Sequence, residues 1–416
     1  MLESLTIENY RSCLRTKLNL HPHLSVLIGP NSSGKTNILQ AVMLLNKLAQ
    51  VPEQYVRPGQ PVKVASRLKA TFGGRKFEGR LQASLSLFTD ESNNDKVLAS
   101  EQKWILTSQG KKYQSEIPLG FAARFGPRYA QLRARSATAR DRYFYYYRHS
   151  RLHLPGSQRL PAEVERKFGN IGAFCRGFRY YGASQFTNPA NCPTSFQIER
   201  EGGHSSLQRI RGHAKIFYDM YSAYKTDDES YKQFAEVVGP GGLRLIEDLS
   251  FREVQSSSTE YNVRVGGKVE RRKRENRLVI PQFKIGHQIL SPNQLSEGTF
   301  KTLALLFHLY RKDSTALLIE EPEVCVHQGL LASILEIIKS ASERKQIIMS
   351  THSDYVLDHV KPENVYRIAF DKGSGTIARQ IRETMTAKEY GALRNYLDQE
   401  GNLGEYWREG GLGDRP

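Results

Sequence analysis

Three short runs of residues have the types and spacing to act on a phosphate ester. Gly29-Pro30-Asn31-Ser32-Ser33-Gly34-Lys35-Thr36 fits G-x-x-x-x-G-K-[ST], with an apolar run before it and a helical pattern after it. The glycines let backbone N–H groups of Asn31, Ser32, Ser33 and Gly34 wrap phosphate oxygens, the helix start adds a positive dipole end, and Lys35 reaches the outer phosphates. The Thr36 hydroxyl then serves as a Mg²⁺ ligand. Such a cradle needs carboxylates to hold the metal and position water, and Thr315-Ala316-Leu317-Leu318-Ile319-Glu320-Glu321 ends in two. Glu320 is placed to meet the metal and Glu321 to orient the attacking water. Ser350-Thr351-His352-Ser353 follows the apolar run Gln346-Ile347-Ile348-Met349, where a histidine can hydrogen-bond a terminal phosphate or the water. Taken singly these are a glycine turn, an acidic turn and a structural histidine. Together they point to binding and hydrolysis of ATP with Mg²⁺.

These residues need a sheet to present them. Leu5 to Asn9 and Thr16 to Leu20 read as short strands, and Leu24-Ser25-Val26-Leu27-Ile28 as a buried strand running into Gly29. Ile38, Val42, Leu45 and Leu48 fall at helical spacing over 37–48. Residues 60–117 alternate in the manner of antiparallel strands, with a polar turn at 90–95. Phe178 to Ala183 reads as a return to the main sheet, residues 200–240 as helical, and 244–290 as strands interrupted by the charge run Lys268 to Arg277. Over 295–380 helix and strand alternate, which predicts parallel βαβ topology. The expected class is therefore α/β, with a mixed or parallel central sheet, an antiparallel β lobe and a helical insertion. The expected division is 1–190, an N-terminal lobe with the phosphate loop; 191–290, a helical and β insertion; 291–382, a C-terminal lobe; and 383–416, a tail.

The composition narrows the partners. Sixty Lys and Arg against 43 Asp and Glu leave a formal charge of +17, which attracts polyanions, nucleic acid first, although excess cations also serve solubility. Two segments concentrate the charge: Arg271-Arg272-Lys273-Arg274, and the Arg- and Tyr-rich stretch 126–155 around Tyr143 to Tyr147. No run approaches the roughly 18–20 apolar residues of a membrane span, and the opening MLESLTIENYRS lacks a signal-peptide pattern, so a cytoplasmic protein without a membrane partner is expected. Cys13, Cys175, Cys192 and Cys325 are too far apart for CxxC metal spacing and read as reduced side chains.

Leu295-Ser296-Glu297-Gly298-Thr299 has no meaning from spacing alone. Together with Gly29 to Thr36, Leu317 to Glu323 and Ser350 to Ser353, it resembles the motif order of ABC-type ATPases of the SMC, Rad50 and RecF kind, and among these the stand-alone AAA family ATPases and the ATPase part of OLD-family proteins. The resemblance spans residues 1–50 and 178–380. It implies an ABC-type P-loop NTPase head whose signature motif, Leu295 to Thr299, reaches across a homodimer or higher homo-oligomer, so that Ser296 and Gly298 meet the γ-phosphate held by the other subunit. It also implies that Glu320 binds the metal, that Glu321 is the catalytic glutamate, that Pro322 to Val326 form the D-loop and that His352 is the switch histidine. Gln185, in Tyr181-Gly182-Ala183-Ser184-Gln185-Phe186, takes the place of the metal-contacting Q-loop glutamine. Glu297 stands where transporter-like motifs have glycine, and Glu320 replaces the commoner aspartate; neither removes a required chemical group.

The tail after Arg382 is too short for the Toprim nuclease domain of OLD proteins, and no long heptad tract lies between Gln185 and Leu295. The leading expectation is thus an ATPase that senses or holds nucleic acid, DNA more than RNA, and controls a separate effector such as a nuclease or toxin, as in anti-phage defence systems. Two alternatives stay open: a RecF-like DNA-repair ATPase without an effector, and a nucleotide-gated scaffold with little turnover.

Overall fold

The computed structural model describes residues 1–50, 62–73, 80–90, 93–108, 111–115, 162–201, 204–205, 212–263, 269–324, 326–399 and 401–412. The strands in chain order are β1 (Leu2–Tyr10), β2 (Cys13–Asn19), β3 (Leu24–Ile28), β4 (Val62–Phe72), β5 (Arg80–Asp90), β6 (Asn93–Ser108), β7 (Lys111–Ser115), β8 (Phe178–Gly182), β9 (Phe196–Glu201), β10 (His204–Ser205), β11 (Asp248–Val263), β12 (Val269–Ile285), β13 (Gln288–Leu290), β14 (Ala316–Glu320), β15 (Gln346–Ser350), β16 (Val365–Asp371) and β17 (Gly375–Gln380). The helices used below are α1 (Lys35–Gln50), α2 (Ala162–Arg176), α3 (His213–Lys225), α4 (Glu229–Val238), α5 (Glu297–Tyr310), α6 (Gln328–Ser342), α7 (Asp354–Leu357), α8 (Ile381–Thr384), α9 (Ala387–Asp398) and α10 (Leu403–Arg408). Chain contacts divide the molecule into two units: Met1–Tyr180 with Asp313–Glu320 and Ser342–Pro416, and Tyr181–Lys312 with Glu321–Ala341.

The first unit holds the central sheet, in the order β17-β16-β3-β15-β14-β8. The pairs β16–β3, β3–β15 and β15–β14 are parallel, as the alternation over 295–380 predicts, and β17 returns antiparallel to β16. Every residue of β3 and of β15 is buried, which is why both read as largely apolar runs rather than alternating ones. A second sheet, β2-β1-β4-β5-β6-β7, is antiparallel throughout. Its alternation turns Leu5, Ile7, Leu68 and Phe72 into the same core as Ile38, Leu39, Val42 and Leu45 of α1. Two buried amides tie distant chain segments into this unit. Gln346 accepts from Leu2 N–H at 2.9 Å and donates to the Leu2 carbonyl at 2.8 Å. Asn46 donates to the carbonyls of Cys175, Arg176 and Phe178 at 3.0, 3.0 and 3.2 Å, satisfying backbone left open where α2 ends.

The second unit is a helix-and-sheet body around aromatic side chains. Phe300 of α5 meets Phe217 at a ring separation of 5.4 Å, and Phe217 meets Phe283 at 5.7 Å. Arg311 pairs with Asp219 at 2.6 Å, two charges that are both mostly withdrawn from water. Two expectations change here. The segment 200–240 opens with strands β9 and β10 before α3 and α4 begin. The charge run does not interrupt the strands over 269–277: β12 passes through that part, paired to β11, with Lys273 opposite Thr259 and Arg272 opposite Glu260, while Lys268 lies outside the described residues. Pairing with a long partner strand outweighs the low strand preference of consecutive cations. The Arg- and Tyr-rich stretch 126–155 lies outside the described residues, as does Cys325. Cys13, Cys175 and Cys192 are free and buried, and burial pushes the Cys192 thiol up to about 12. Among the described residues no helix is long and apolar enough to cross a membrane.

Candidate nucleotide site

Parallel pairing brings three strand ends to one edge of the central sheet. Ser350 pairs with Leu27 on one side and with Glu320 on the other, so the exits of β3, β15 and β14 are level. The crevice beyond the carboxyl ends of parallel strands is where open α/β sheets place ligands. From β3 the chain enters the glycine loop, from β15 it runs to His352, and β14 ends at Glu320.

The loop's shape explains its glycines. Gly29 has φ 151° and Gly34 φ 102°, and Ser32 also takes a positive value, 63°. A Cβ on Gly29 would lie 2.1 Å from the Ile368 carbonyl oxygen, and one on Gly34 would lie 2.0 Å from Thr376 Oγ1. Asn31 and Ser32 are exposed, whereas Ser33, Gly34 and Lys35 are buried as α1 begins. Lys35 Nζ folds over the loop and donates to the Gly29 and Pro30 carbonyls at 2.8 and 3.0 Å. Behind the loop stands a hydroxyl network absent from the sequence-level expectations. Thr376 Oγ1 donates to the Ser33 carbonyl at 3.0 Å and shares a 2.7 Å bond with Ser12 Oγ, which accepts from Asn37 Nδ2 at 2.6 Å. The backbone of Thr376 donates to the Ser12 carbonyl at 2.7 Å. The turn between β1 and β2 and the start of β17 thereby fix the loop from behind.

Thr36 and Glu320 meet directly, the Thr36 hydroxyl donating to Glu320 Oε1, while Tyr180 of β8 donates its phenol proton to Oε2 of the same carboxylate. A hydroxyl and a carboxylate side by side at a helix N-terminus are the hard oxygen donors that suit Mg²⁺. The buried Ser33 hydroxyl has no hydrogen-bond partner among the described residues, and the positive-φ loop opens onto the first turn of α1. These features fit an ATP polyphosphate with its metal. His352 feels the Lys35 charge: burial first, and then the Lys35 ammonium, hold its pKa below the ordinary imidazole value, so the ring is neutral at pH 7.

Lys35, Thr36, Glu320 and His352 thus belong to the first unit, with Gly29 to Gly34. Glu321, Gln185, Ser296 and Gly298 belong to the second. Glu321 follows Glu320 directly and has φ 50°, a left-handed backbone unusual for glutamate. Gln185 is exposed on the single turn Ala183–Phe186. Ser296 is the N-cap of α5: its hydroxyl accepts from Thr299 N–H at 3.2 Å and lies 2.8 Å from Thr299 Oγ1, with Gly298 in the first turn. Glu297 pairs at 2.6 Å with Lys301, an ammonium that is itself almost wholly buried.

Two family models match stretches of the chain that contribute to this geometry. Residues 1–116 match "AAA ATPase domain", and residues 244–358 match "AAA domain, putative AbiEii toxin, Type IV TA system". Among curated proteins, the chain is 29% identical over 109 residues to the "DNA double-strand break repair Rad50 ATPase" of Methanopyrus kandleri, covering 24% of this chain and 12% of that protein. It is 32% identical over 121 residues to the "DNA replication and repair protein RecF" of Rickettsia felis, covering 28% of this chain and 31% of that one. The matches therefore span less than a third of the curated relatives' length. Among solved structures, an SMC head bound to the C-winged helix domain of ScpA aligns over 92% of this chain and 98% of its own, at 12% identity and a TM-score of 0.48.

Proposed function

We propose that the chain is an ABC-type ATPase that binds Mg–ATP in the glycine loop, hydrolyses it in a dimer, and uses the cycle to hold or sense nucleic acid and control a separate effector. The observation that carries the reading is the convergence of Lys35, Thr36, Glu320 and His352 at the carboxyl ends of the parallel strands β3, β15 and β14. Bound Mg–ATP would bring a γ-phosphate whose oxygen charges the metal and the loop N–H groups neutralise, leaving the phosphorus open to water. Backbone N–H groups from Asn31 to Gly34 hold the phosphate oxygens. Lys35 exchanges its loop carbonyls for β- and γ-oxygens. Thr36 and Glu320 would hold the metal, a role that the resemblance also gives to Gln185. Glu321 orients and deprotonates the water, and His352 hydrogen-bonds the γ-phosphate.

Ser296 and Gly298 act on the partner subunit's γ-phosphate, using a helix N-terminus that is already capped and oriented. DNA is the favoured polyanion, supported by the +17 charge and by relatives named for DNA repair. Control of an effector, with a role in phage defence, is the proposal's outermost step; it is supported by the resemblance to stand-alone ATPases. Equilibrium binding of ATP to wild type and Lys35→Ala tests the foundation. Wild type should bind and Lys35→Ala should not, and equal binding would remove the cradle from the reading.

A further inference from the structure

Glu320 has one methylene more than the aspartate expected at its position, and its two oxygens are held by different partners. Thr36, on the loop side, donates to Oε1, and Tyr180, from the neighbouring strand β8, donates to Oε2. The tyrosine is not loosely placed. Strand β8 begins under the Asn46 amide, the Thr315 backbone N–H bonds the Gly177 carbonyl at 2.9 Å, and Arg179 pairs with Asp313 at 2.6 Å, so β8 is pinned at the start of β14. Tyr180 itself packs against the core of this unit.

We infer that Tyr180 is a positioning residue that sets the metal preference of the site: by holding Oε2 it keeps Glu320 turned so that Oε1, the oxygen beside the Thr36 hydroxyl, is the one offered to the metal. This rests on the Mg–ATP reading and adds a residue to it. Mg²⁺ needs near-octahedral geometry and few, well-placed ligands, whereas Ca²⁺ accepts a bidentate carboxylate at longer range. A carboxylate restrained to one oxygen favours Mg²⁺. Freed, the longer glutamate side chain can swing both oxygens inward and favour the larger ion. Partners that orient a metal ligand are worth about 10–100-fold in metal affinity.

The test titrates Mg²⁺ or Ca²⁺ into the full chain with a fluorescent ATP analogue and reads nucleotide binding, with no need for turnover. For Tyr180→Phe the Mg²⁺ requirement should rise about tenfold or more while the Ca²⁺ requirement rises less. Binding of the analogue without metal should be unchanged. In a Glu320→Asp chain, whose shorter side chain withdraws from the phenol, adding Tyr180→Phe should have no further effect. An unaltered Mg²⁺ requirement in Tyr180→Phe, or equal losses from Tyr180→Phe with and without Glu320→Asp, would overturn the inference and leave the ATPase reading standing. Wild type that fails to bind the analogue with either metal would instead overturn the ATPase reading on which it rests.

Discussion

Thr36 and Glu320, 284 residues apart in the chain, share a hydrogen bond at the mouth of the glycine loop. The bond joins the first turn of α1 to the end of β14. Two motifs from opposite halves of the sequence therefore form one oxygen-lined corner, on a sheet whose parallel register brings the strand ends level.

The hydroxyl network behind the loop should control nucleotide affinity. Thr376→Val keeps the shape but removes the donor to the Ser33 carbonyl and the partner of Ser12, at a cost of about 1–3 kcal/mol for buried groups left unpaired. Thermal melting and ATP binding should both weaken, and Thr376→Ser should restore most of each. A valine variant that melts and binds as wild type would show that the loop holds its shape without this support.

How much of this was legible differs from residue to residue. The strand Leu24 to Ile28, the loop, the acids after Ile319 and the strand before His352 are local patterns, and local patterns survive in a linear sequence. Thr376, Ser12 and Tyr180 carry no such pattern. Ser12 and Thr376 are 364 residues apart and meet only because β17 folds back beside β2; a threonine in a strand is otherwise ordinary. The continuous strand over 269–277 escapes the sequence reading for a related reason. Its pairing partner, β11, decides its structure, and consecutive cations hide it from a reading based on side-chain alternation.

His352 should titrate below the ordinary imidazole range, about 6.5. A depressed folded-state value means that its contribution to stability is complete above about 6.5 and is lost as pH falls through the lower folded value. Imidazole resonances followed by NMR in the nucleotide-free chain should show this, and Lys35→Met should move the midpoint upward only part way, because burial is the larger cause. A midpoint at or above the ordinary value in wild type would contradict the placement of this ring.

The cations of β12 should contribute to DNA binding. If Arg271, Arg272, Lys273 and Arg274 neutralise phosphates, log K should fall by about 0.9 per contact against log salt on duplex DNA. Charge reversal across 271–274 should weaken binding and flatten that slope. Unchanged affinity and slope would assign the contact elsewhere.

A shared site predicts complementation between two inactive chains. Ser296→Arg should bind ATP without hydrolysing it, and Lys35→Ala should fail to bind. Their heterodimer joins the intact cradle of one chain to the intact signature of the other, and phosphate release should reappear once heterodimers are shown to form. Full activity of Ser296→Arg alone would rule out a signature acting in trans.

The most direct measurement is phosphate release by purified wild type and Glu321→Gln, with ATP binding followed in the same samples. Wild type should turn ATP over in the presence of Mg²⁺. Glu321→Gln should bind ATP at least as tightly and lose turnover by a factor of at least about 10², the low end of the contribution of a positioned general base. Hydrolysis by Glu321→Gln at the wild-type rate, or ATP bound by wild type without any turnover, would contradict an ATPase built on this pair of glutamates.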